Sequence, residues 1–463
     1  MIIEPHLLRE SLNGMLSSGS EYGDIFIEST STSTIQIEDR KVEKLLQGTD
    51  SGAGLRVLFG GKTAYAFTNS LAKESFLEMS DILKQAAKEG RSGFSIDLAR
   101  KSPRTDFKIK VEPGSVPLEK KVGLLKEAEK AARGYSPYIR QVTVTYRETV
   151  QKVQIASSDG YIAEDERLQT VFLVNVVAEK DGVVQTGYRP VGGSIGFELF
   201  DENPPVEVAL EAARKAVMML AARKAPGGRM PVVISSEAGG TMIHEAIGHG
   251  LEADLSGQGL SVYAGKLGQK IASDIVTVLD DATLPGRRGS FRFDDEGIPS
   301  QRTVLVENGV LRNFLYDRLS AMKDGTESTG NGRRQSYKHR PIPRMTNTFI
   351  APGKTKTTPE EILRSTPKGL LVKKMGGGQV NTLTGDFVFD VQEGYLIENG
   401  LAGEPVRGAT LAGNGPQILM EIDMVGSDLG FAIGTCGKDA QGVPVSDAQP
   451  TIRIPEIVVG GEL

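Results

Sequence analysis

Hydrophobic and polar positions follow two different periods along the first half of the chain. Apolar residues recur at helical spacing over residues 5–18, 71–90 and 118–134, which predicts three helices. Short apolar runs that end in turns occupy residues 22–68 and 138–195, and these predict strands. The first half of the chain is therefore predicted to combine helices with β-structure.

The pattern changes after an alanine-rich segment at residues 204–225, which predicts a helix. Pro226-Gly227-Gly228 ends this segment and is the candidate domain boundary. Beyond about residue 255 the chain consists mostly of strand-like runs separated by glycine turns. We therefore predict an α+β fold, with a mixed α/β N-terminal domain (residues 1–226) and a β-dominated C-terminal domain (residues 227–463).

Composition narrows the class of protein. A chain of 463 residues exceeds one ordinary core, and 24% charged with 39% hydrophobic residues is typical of soluble globular proteins. The formal net charge of −5, without a dense basic run, argues against nucleic-acid binding. No apolar stretch reaches about 18 residues and no signal peptide is visible, so we expect no membrane segment. The one cysteine excludes an intrachain disulfide and favours a cytoplasmic location.

Two of the four histidines lie within six residues, in the segment His-Glu-Ala-Ile-Gly-His at 244–249. We expect this segment to form a helix at the junction of the two domains. On a regular helix a spacing of five turns the two rings about 140° apart, because each residue adds roughly 100°. A one-residue π-bulge, or a helix that breaks before His249, would bring the rings together. Gly248 and Gly250 are poor helix residues and lower the cost of such a distortion.

The residue types in and near this segment suggest a metal site. His244, His249 and the thiolate of Cys436 form a three-ligand set that zinc accepts, with the fourth position left to water. Glu245 is placed to accept a proton from that water. Cys436 lies in a glycine-rich polar segment, residues 434–438, which we expect to be a flexible loop.

Other assignments of these residues stay open. The two histidines could be unrelated, and a lone cysteine is often a small buried hydrophobic residue. Asp254 and His339 compete with Cys436 as the third ligand, and so does Glu252, which is three residues after His249 and could share its helical face.

A second polar segment, residues 331–341, is rich in hydrogen-bond donors. It is either a solvated loop or a loop that lines the substrate site, with its arginines and histidine placed to bind a peptide carboxylate or carbonyl. The candidate substrate-binding residues are Arg334, His339 and Arg340.

Taken together, these segments resemble the TldD/PmbA family of metalloproteases. The resemblance rests on residues 244–254, 294–297, 331–337, 339–348, 436–438 and 449–451. Their order and spacing agree across the C-terminal half, and the N-terminal half agrees in layout only. The chain is similar to the TldD side of the family, which keeps the metal motif, rather than to the partner side, which lacks it. One departure is the Ser-Asp-Ala run at 446–448, where more glycine is expected, and it leaves the shape of that loop open.

The resemblance implies a zinc peptidase in which His244, His249 and Cys436 bind the metal and Glu245 is the general base. It also implies a dimer, of like chains or with a metal-free paralogue, that encloses a chamber for unfolded peptides. His339 or Arg340 could supply a donor for the oxyanion of the transition state. We expect the peptide to add to a sheet edge, so that main-chain hydrogen bonds give affinity.

Two other functions remain possible from the sequence. The chain could bind zinc as a regulatory or interaction protein without peptidase activity, and a closed four-ligand site that includes Glu252 would mark that case. It could also hydrolyse a non-peptide amide, because the attacking water is indifferent to what flanks the carbonyl.

Overall fold

The computed structural model of the protein describes residues 3–16, 19–87 and 96–462. Its helices are α1 (Pro5–Met15), α2 (Lys73–Ala86), α3 (Leu118–Gly134), α4 (Leu199–Glu202), α5 (Pro205–Leu220), α6 (Thr241–Ile243), α7 (Ala253–Gly257), α8 (Arg318–Asp324), α9 (Pro359–Arg364) and α10 (Gly415–Glu421). Short 3-10 turns occupy Pro113–Ser115, Ser236–Ala238 and His249–Leu251, and a π-helical turn spans His244–Gly248.

The strands of the first half are β1 (Tyr22–Glu38), β2 (Lys41–Phe59), β3 (Lys62–Thr68), β4 (Ala99–Arg100), β5 (Ile139–Ser157), β6 (Tyr161–Lys180) and β7 (Val183–Gly193). Those that follow are β8 (Arg223–Lys224), β9 (Gly228–Ile234), β10 (Val278–Asp281), β11 (Arg302–Glu307), β12 (Val310–Leu311), β13 (Gly332–Arg333), β14 (Ile342–Pro343), β15 (Asn347–Ile350), β16 (Lys368–Val380), β17 (Asp386–Glu398), β18 (Leu401–Arg407), β19 (Thr410–Asn414), β20 (Met424–Val425), β21 (Gly430–Lys438), β22 (Gln441–Gln449) and β23 (Ile452–Gly460).

The strands of the first half form one sheet in the order β3-β2-β1-β5-β6-β4, with β7 also paired to β6. Long antiparallel strands dominate this sheet. Buried and half-exposed residues alternate along β6 with the period of two that is typical of a strand with one covered face. On β6 the buried Phe172, Val174 and Val176 lie on the face that packs against helices α3 and α5. This sheet is therefore covered by helices on that face, and the first half combines helices with β-structure as the sequence pattern predicted.

Two sheets dominate the second half. One runs β16-β9-β23-β19-β17-β18-β8, with β20 paired to β23, and the other runs β12-β11-β10-β15-β22-β21. A shared apolar core lies between them and includes Ile234, Ile247, Leu305 and Ile454. Strand β21, which carries Cys436, is the last strand of its sheet and pairs only with β22 among the described strands. The histidine segment, residues 244–249, thus packs against this core on one side and faces the edge strand β21 on the other.

Ion pairs join the first sheet to the second half of the chain. Arg56 on β2 bonds to Asp24 on β1, and its Nη2 atom lies 2.7 Å from Oε1 of Glu296. All three side chains are buried, so each charge has a partner that offsets the loss of its hydration. The interface between the two halves is fixed by such bonds at several points.

The predicted α+β class and most predicted elements are confirmed. Helix α1 ends at Met15 and α2 at Ala86, and the remainders of the predicted helices, residues 17–18 and 88–90, lie outside the described residues. The loop predicted at 434–438 is wrong, because these residues belong to strand β21. The 446–448 run likewise lies within strand β22 and not in a loop. The boundary between residues 226 and 227 stays a prediction.

No helix within the described ranges is both long enough and apolar enough to cross a membrane.

Candidate metal centre

The histidine segment changes its winding within a few residues. Helix α6 passes at His244 into the π-helical turn, in which the N–H of His249 donates to the carbonyl of His244. A π-helical turn places residues five apart on one side, whereas an α-helix would separate them. The two imidazole centroids are 5.0 Å apart with an interplanar angle of 89°. Of the two predicted alternatives, a π-bulge or a helix break before His249, the structure shows the π-helical turn.

The surroundings of the π-helical turn explain its glycines. A methyl group at Gly248 would overlap the sulfur of Met345, and one at Gly250 would lie 2.7 Å from the Tyr263 ring. The hydroxyl of Tyr263 donates to the carbonyl of Ala246 at 2.9 Å, which bonds a carbonyl inside the distorted turn. The glycines are required because neighbouring side chains pack directly against the backbone.

Cys436 reaches the histidines from strand β21. Its side chain is 3% exposed, and Sγ lies 3.2 Å from His244 Nε2 and 3.5 Å from His249 Nε2. The three donor atoms lie within 4.8 Å of one another. The structure therefore brings the predicted ligand set together, although Cys436 follows the histidine segment by almost two hundred residues.

The other ring nitrogen of each histidine is bonded to a carboxylate. His244 Nδ1 lies 2.7 Å from Oδ1 of Asp447 on β22, and His249 Nδ1 lies 2.9 Å from Oε2 of Glu252. A carboxylate on Nδ1 fixes the proton there, turns the ring, and leaves Nε2 with its lone pair toward a metal. Both histidines thus present Nε2 to the same point.

Glu252 is held by more than His249. Lys438 Nζ lies 3.1 Å from Glu252 Oε2 and donates to Asp254 Oδ1 at 2.7 Å. Glu252 is fully buried, and burial raises its pKa, but the charges of Lys438 and His249 outweigh this and lower the pKa to about 2. Glu252 is therefore a charged partner of His249. Neither Glu252 nor Asp254 belongs to the group of converging donor atoms found among the described residues.

The charges around Cys436 favour its thiolate form. Burial raises the pKa of the Cys436 thiol, but hydrogen bonds to His244 and His249 outweigh it and lower the pKa to about 6. Burial lowers the pKa of His249, but Glu252 and Cys436 raise it to about 10. The thiolate is the form of cysteine that binds metals, and a bound metal takes the place of the ring protons that otherwise face the sulfur.

This donor set fits zinc. A tetrahedral zinc ion with ligand distances of about 2.0–2.3 Å places its donors about 3.5 Å apart. The two distances from Cys436 Sγ, 3.2 and 3.5 Å, match this spacing. Two imidazoles and one thiolate are among the ligand types that zinc prefers, and the carboxylates behind the rings complete the arrangement typical of histidine-bound metals.

Glu245 follows His244 directly and lies half-buried at the start of the π-helical turn. Its carboxylate has no hydrogen bond or ion pair to any other residue in the described part of the chain, in contrast to Glu252 and Asp447. An unpaired carboxylate that adjoins a candidate metal ligand in the chain is available to exchange a proton with water or substrate.

The predicted substrate-binding residues lie outside this cluster. His339 is half-buried, with Nδ1 3.1 Å from Ser336 Oγ. Arg340 is exposed and lines a pocket of about 340 Å³ together with Asp254 and Lys438. The pocket therefore adjoins the residues that hold Glu252.

Arg334 is placed differently. Its side chain is fully buried, donates to the Asp295 carbonyl at 2.9 Å and to the Tyr65 hydroxyl at 3.2 Å, and lies over the Phe26 ring at 4.3 Å. These contacts tie the first sheet to the second half of the chain. They favour a structural role for Arg334 over contact with a substrate.

Asp447 is the site residue that sequence reasoning missed. The only signal was the unusual Ser-Asp-Ala run at 446–448, which pointed to an altered loop. Nothing near Asp447 in the sequence links it to His244, because the contact depends on how β22 packs against α6.

Comparisons with known proteins identify the family of the chain. Three family models match successive parts of the chain: the PmbA/TldA metallopeptidase domain 1 at residues 23–95, the central domain at 111–220, and the C-terminal domain at 227–461. The chain belongs to the PmbA/TldD metallopeptidase family. The three models together cover most of the sequence, so the likeness extends beyond the histidine segment.

Individual relatives are named as metalloproteases of this family. The chain is 35% identical over 456 residues to a Metalloprotease TldD homolog of Haemophilus influenzae, covering 95% of this chain and 93% of the relative. It is 27% identical over 448 residues to a Zinc metalloprotease TldD homolog of Saccharolobus solfataricus, covering 96% and 97%. The crystal structure of TldE from Thermococcus kodakarensis has a TM-score of 0.77 at 20% identity, covering 98% of this chain and 99% of that one, and it supports the fold.

Proposed function

We propose that the protein is a zinc-dependent peptidase that hydrolyses short or unfolded peptides. The observation that carries the proposal is the convergence of His244 Nε2, His249 Nε2 and Cys436 Sγ. Glu245, with an unpaired carboxylate, directly follows His244 in the chain. Three protein ligands leave a coordination position for water or substrate, as in catalytic zinc sites, whereas structural sites use four. The metalloprotease names of the relatives support the same class of reaction.

Each residue has a distinct part in the proposed reaction. When bound, zinc supplies a Lewis acid that polarises the scissile carbonyl and lowers the pKa of water toward neutrality. Glu245 accepts a proton from the attacking water as the new C–O bond forms, and it passes this proton to the amine nitrogen as the C–N bond then breaks. Asp447 and Glu252 keep His244 and His249 oriented through their Nδ1 atoms.

The position of Cys436 on an edge strand supports an extended substrate. Strand β21 has one protein neighbour, β22, among the described strands. Thr435 pairs with Pro444, whose carbonyl accepts from Arg333 on the far side of β22. Since the N–H and C=O of one residue point to the same side of a strand, those of Thr435 point to the free edge. A peptide added there would form main-chain hydrogen bonds next to the metal ligand, with loose sequence preference.

Further parts of the proposal concern partners and location. We propose a dimer, formed by two like chains or with a metal-free paralogue, that encloses the site and admits unfolded peptide.

His339 and Arg340 are proposed as substrate contacts, because the pocket that Arg340 lines adjoins Lys438 and Asp254. No direct nucleic-acid contact is proposed, and a cytoplasmic location is proposed from the single cysteine.

The two other functions make different demands on the site. A zinc-binding regulatory protein without peptidase activity would close its site with a fourth ligand, and Glu252 instead bonds to His249 and Lys438. A hydrolase of non-peptide amides would use the same metal and base, but it has no need of an edge strand. The observations on Glu252 and β21 therefore favour the peptidase.

The state of the substrate tests the proposal. One destabilised polypeptide and its stable folded counterpart are incubated with the zinc-loaded protein, and cleavage is followed by mass spectrometry. We expect cleavage of the unfolded form only, because a folded chain keeps its backbone groups in its own hydrogen bonds. A zinc-loaded Glu245→Gln variant is the control for contaminating protease. Equal cleavage of both forms, or cleavage of neither, would contradict the proposal.

A further inference from the structure

Two arginines line a pocket beside the edge strand that carries Cys436. The pocket, of about 210 Å³, lies between the first sheet and strand β21. Arg147 and Tyr188 reach it from β5 and β7, Arg288 reaches it from the segment after β10, and Gly434 and Thr435 form its β21 side. No acidic side chain is among its lining residues in the described part of the chain.

The hydrogen bonds of the two arginines leave most of their donors unused. Arg288 donates through Nη1 to the Gly434 carbonyl and to Thr435 Oγ1 at 3.1 Å, and its buried Nε atom has no partner. Arg147 donates through Nε to Thr34 Oγ1 at 3.4 Å. A guanidinium has five N–H donors, so both groups keep free N–H bonds.

Neither arginine has an ion pair with a described residue. Arg147 is exposed and Arg288 is half-buried. The fully buried Arg56, by contrast, contacts two carboxylates, Asp24 and Glu296. Burial lowers the pKa of Arg288 to about 10, and the charge of Arg147 lowers it further in the same direction. Two like charges in a half-buried pocket repel each other, and an anion between them would offset both charges.

The pocket has a fixed relation to the metal centre. Gly434 and Thr435 precede Cys436 by two positions and one position on β21, which corresponds to roughly 3–7 Å along a strand. A substrate chain that reached the metal centre alongside β21 would pass Gly434 and Thr435, which form the β21 side of the pocket. Arginine forks match the geometry of carboxylates and bind them through paired N–H bonds.

We infer that Arg147 and Arg288 bind a carboxylate of the substrate peptide, located within about two residues of the bond that is cut. The carboxylate is either the C-terminal one or an Asp or Glu side chain, since both present the same group. The inference rests on the proposed peptidase function and adds a substrate preference to it. The arginines bind and position the substrate, and the metal centre carries out the reaction.

A matched set of peptides tests the inference. One sequence is made with a free or an amidated C-terminus, and each version carries Asp or Asn at successive positions near the cut. We expect removal of the bound carboxylate to lower kcat/KM of the wild type by about tenfold or more, the loss typical of one hydrogen bond between charged groups. The amidated and Asn peptides show whether the terminal or the side-chain carboxylate is bound.

Variants then assign the effect to the pocket. Arg147→Gln should cut the carboxylate peptide about tenfold more slowly and the neutral peptide at the wild-type rate. Arg288→Gln should lose more rate on the carboxylate peptide than on the neutral peptide. Arg147→Gln is the decisive variant, because Arg147 makes one long hydrogen bond and its loss does not disturb β21. Arg140→Gln is the matched control: Arg140 is on the same strand, is exposed, and pairs with Glu179. Equal rates for charged and neutral peptides, or equal losses on both, would overturn the inference.

A binding measurement separates this inference from the proposed function. Fluorescence anisotropy of labelled peptides with the zinc-loaded Glu245→Gln variant reports affinity without turnover. The carboxylate peptide should bind more tightly than the neutral peptide, and this difference should disappear in the double variant that also carries Arg147→Gln. That result supports the carboxylate pocket even if the wild type hydrolyses no peptide. Hydrolysis by the wild type, with identical affinity for charged and neutral peptides, would leave the peptidase standing and overturn the pocket.

Discussion

His244 Nδ1 lies 2.7 Å from Asp447 Oδ1, although the two residues are 203 positions apart in the chain. The carboxylate accepts the Nδ1 proton and leaves Nε2 facing Cys436 Sγ. His249 has the equivalent arrangement with Glu252. The two histidines of the candidate metal centre are therefore oriented by two carboxylates that are not among the converging donor atoms.

Asp447→Asn tests this arrangement. The amide keeps the size of the side chain but loses the negative charge that stabilises the His244 proton at Nδ1, so zinc affinity should fall about 10–100-fold. Affinity is measured by competition with a chromophoric chelator. Asp439→Asn, in the exposed turn between β21 and β22, is the control and should bind zinc as the wild type does. An unchanged affinity in Asp447→Asn would contradict the assigned role.

The ligand set predicts a pattern of zinc content. The purified wild type should hold about one zinc per chain, and His249→Ala or Cys436→Ala should lose most of it, because each removes one of three protein ligands. His339→Ala is the control, since His339 bonds to Ser336 and lies outside the cluster. Content is measured by elemental analysis. Full zinc in Cys436→Ala together with loss in His339→Ala would show that the third ligand is wrong.

Metal removal should lower stability. The three donors converge only in the folded chain, so zinc binds the native state and stabilises it by about 2.7 kcal/mol when free zinc is a hundred times its Kd. A chelator should therefore lower the unfolding temperature, and added zinc should restore it. Cys436→Ala should not respond to either treatment. An unfolding temperature that is independent of zinc in the wild type would contradict a native-state metal site.

Gly248→Ala tests the packing behind the π-helical turn. The added methyl group would overlap the Met345 sulfur in a buried position, and overpacking of this kind typically costs about 1–3 kcal/mol. Gly257→Ala, where an added methyl group meets no atom within 4 Å, is the control. Urea unfolding of the two variants gives the comparison. Equal stability would mean that the turn adjusts without cost.

The local parts of the site could be predicted from the sequence. His244 and His249 are close in the chain, and the mismatch between their spacing and a helical turn already required a π-bulge or a break. Cys436 stood out as the only cysteine. The loop predicted around it was wrong because glycine-rich composition favours turns locally, whereas pairing with β22 and packing beside the first sheet hold the segment as a strand.

The long-range parts could not be predicted. The contact of Asp447 with His244 depends on how β22 packs against α6, and the position of Arg288 beside Arg147 depends on the packing of two sheets. Neither arrangement leaves a periodic pattern in the sequence. Helical spacing suggested that Glu252 could lie near His249, and the two side chains are bonded. The ion pair of Glu252 with Lys438, which is far away in the chain, could not be predicted.

The central claim is tested most directly by peptide hydrolysis with Glu245→Gln at equal zinc content. The variant should fold and bind zinc like the wild type, because Glu245 has no bond to another described residue and is not among the converging donors. Its kcat should fall by about 10²–10⁴-fold, the usual contribution of a general base. A fall of that size with zinc retained is the result that the account predicts. Turnover near the wild-type rate would contradict it and remove Glu245 from the reaction.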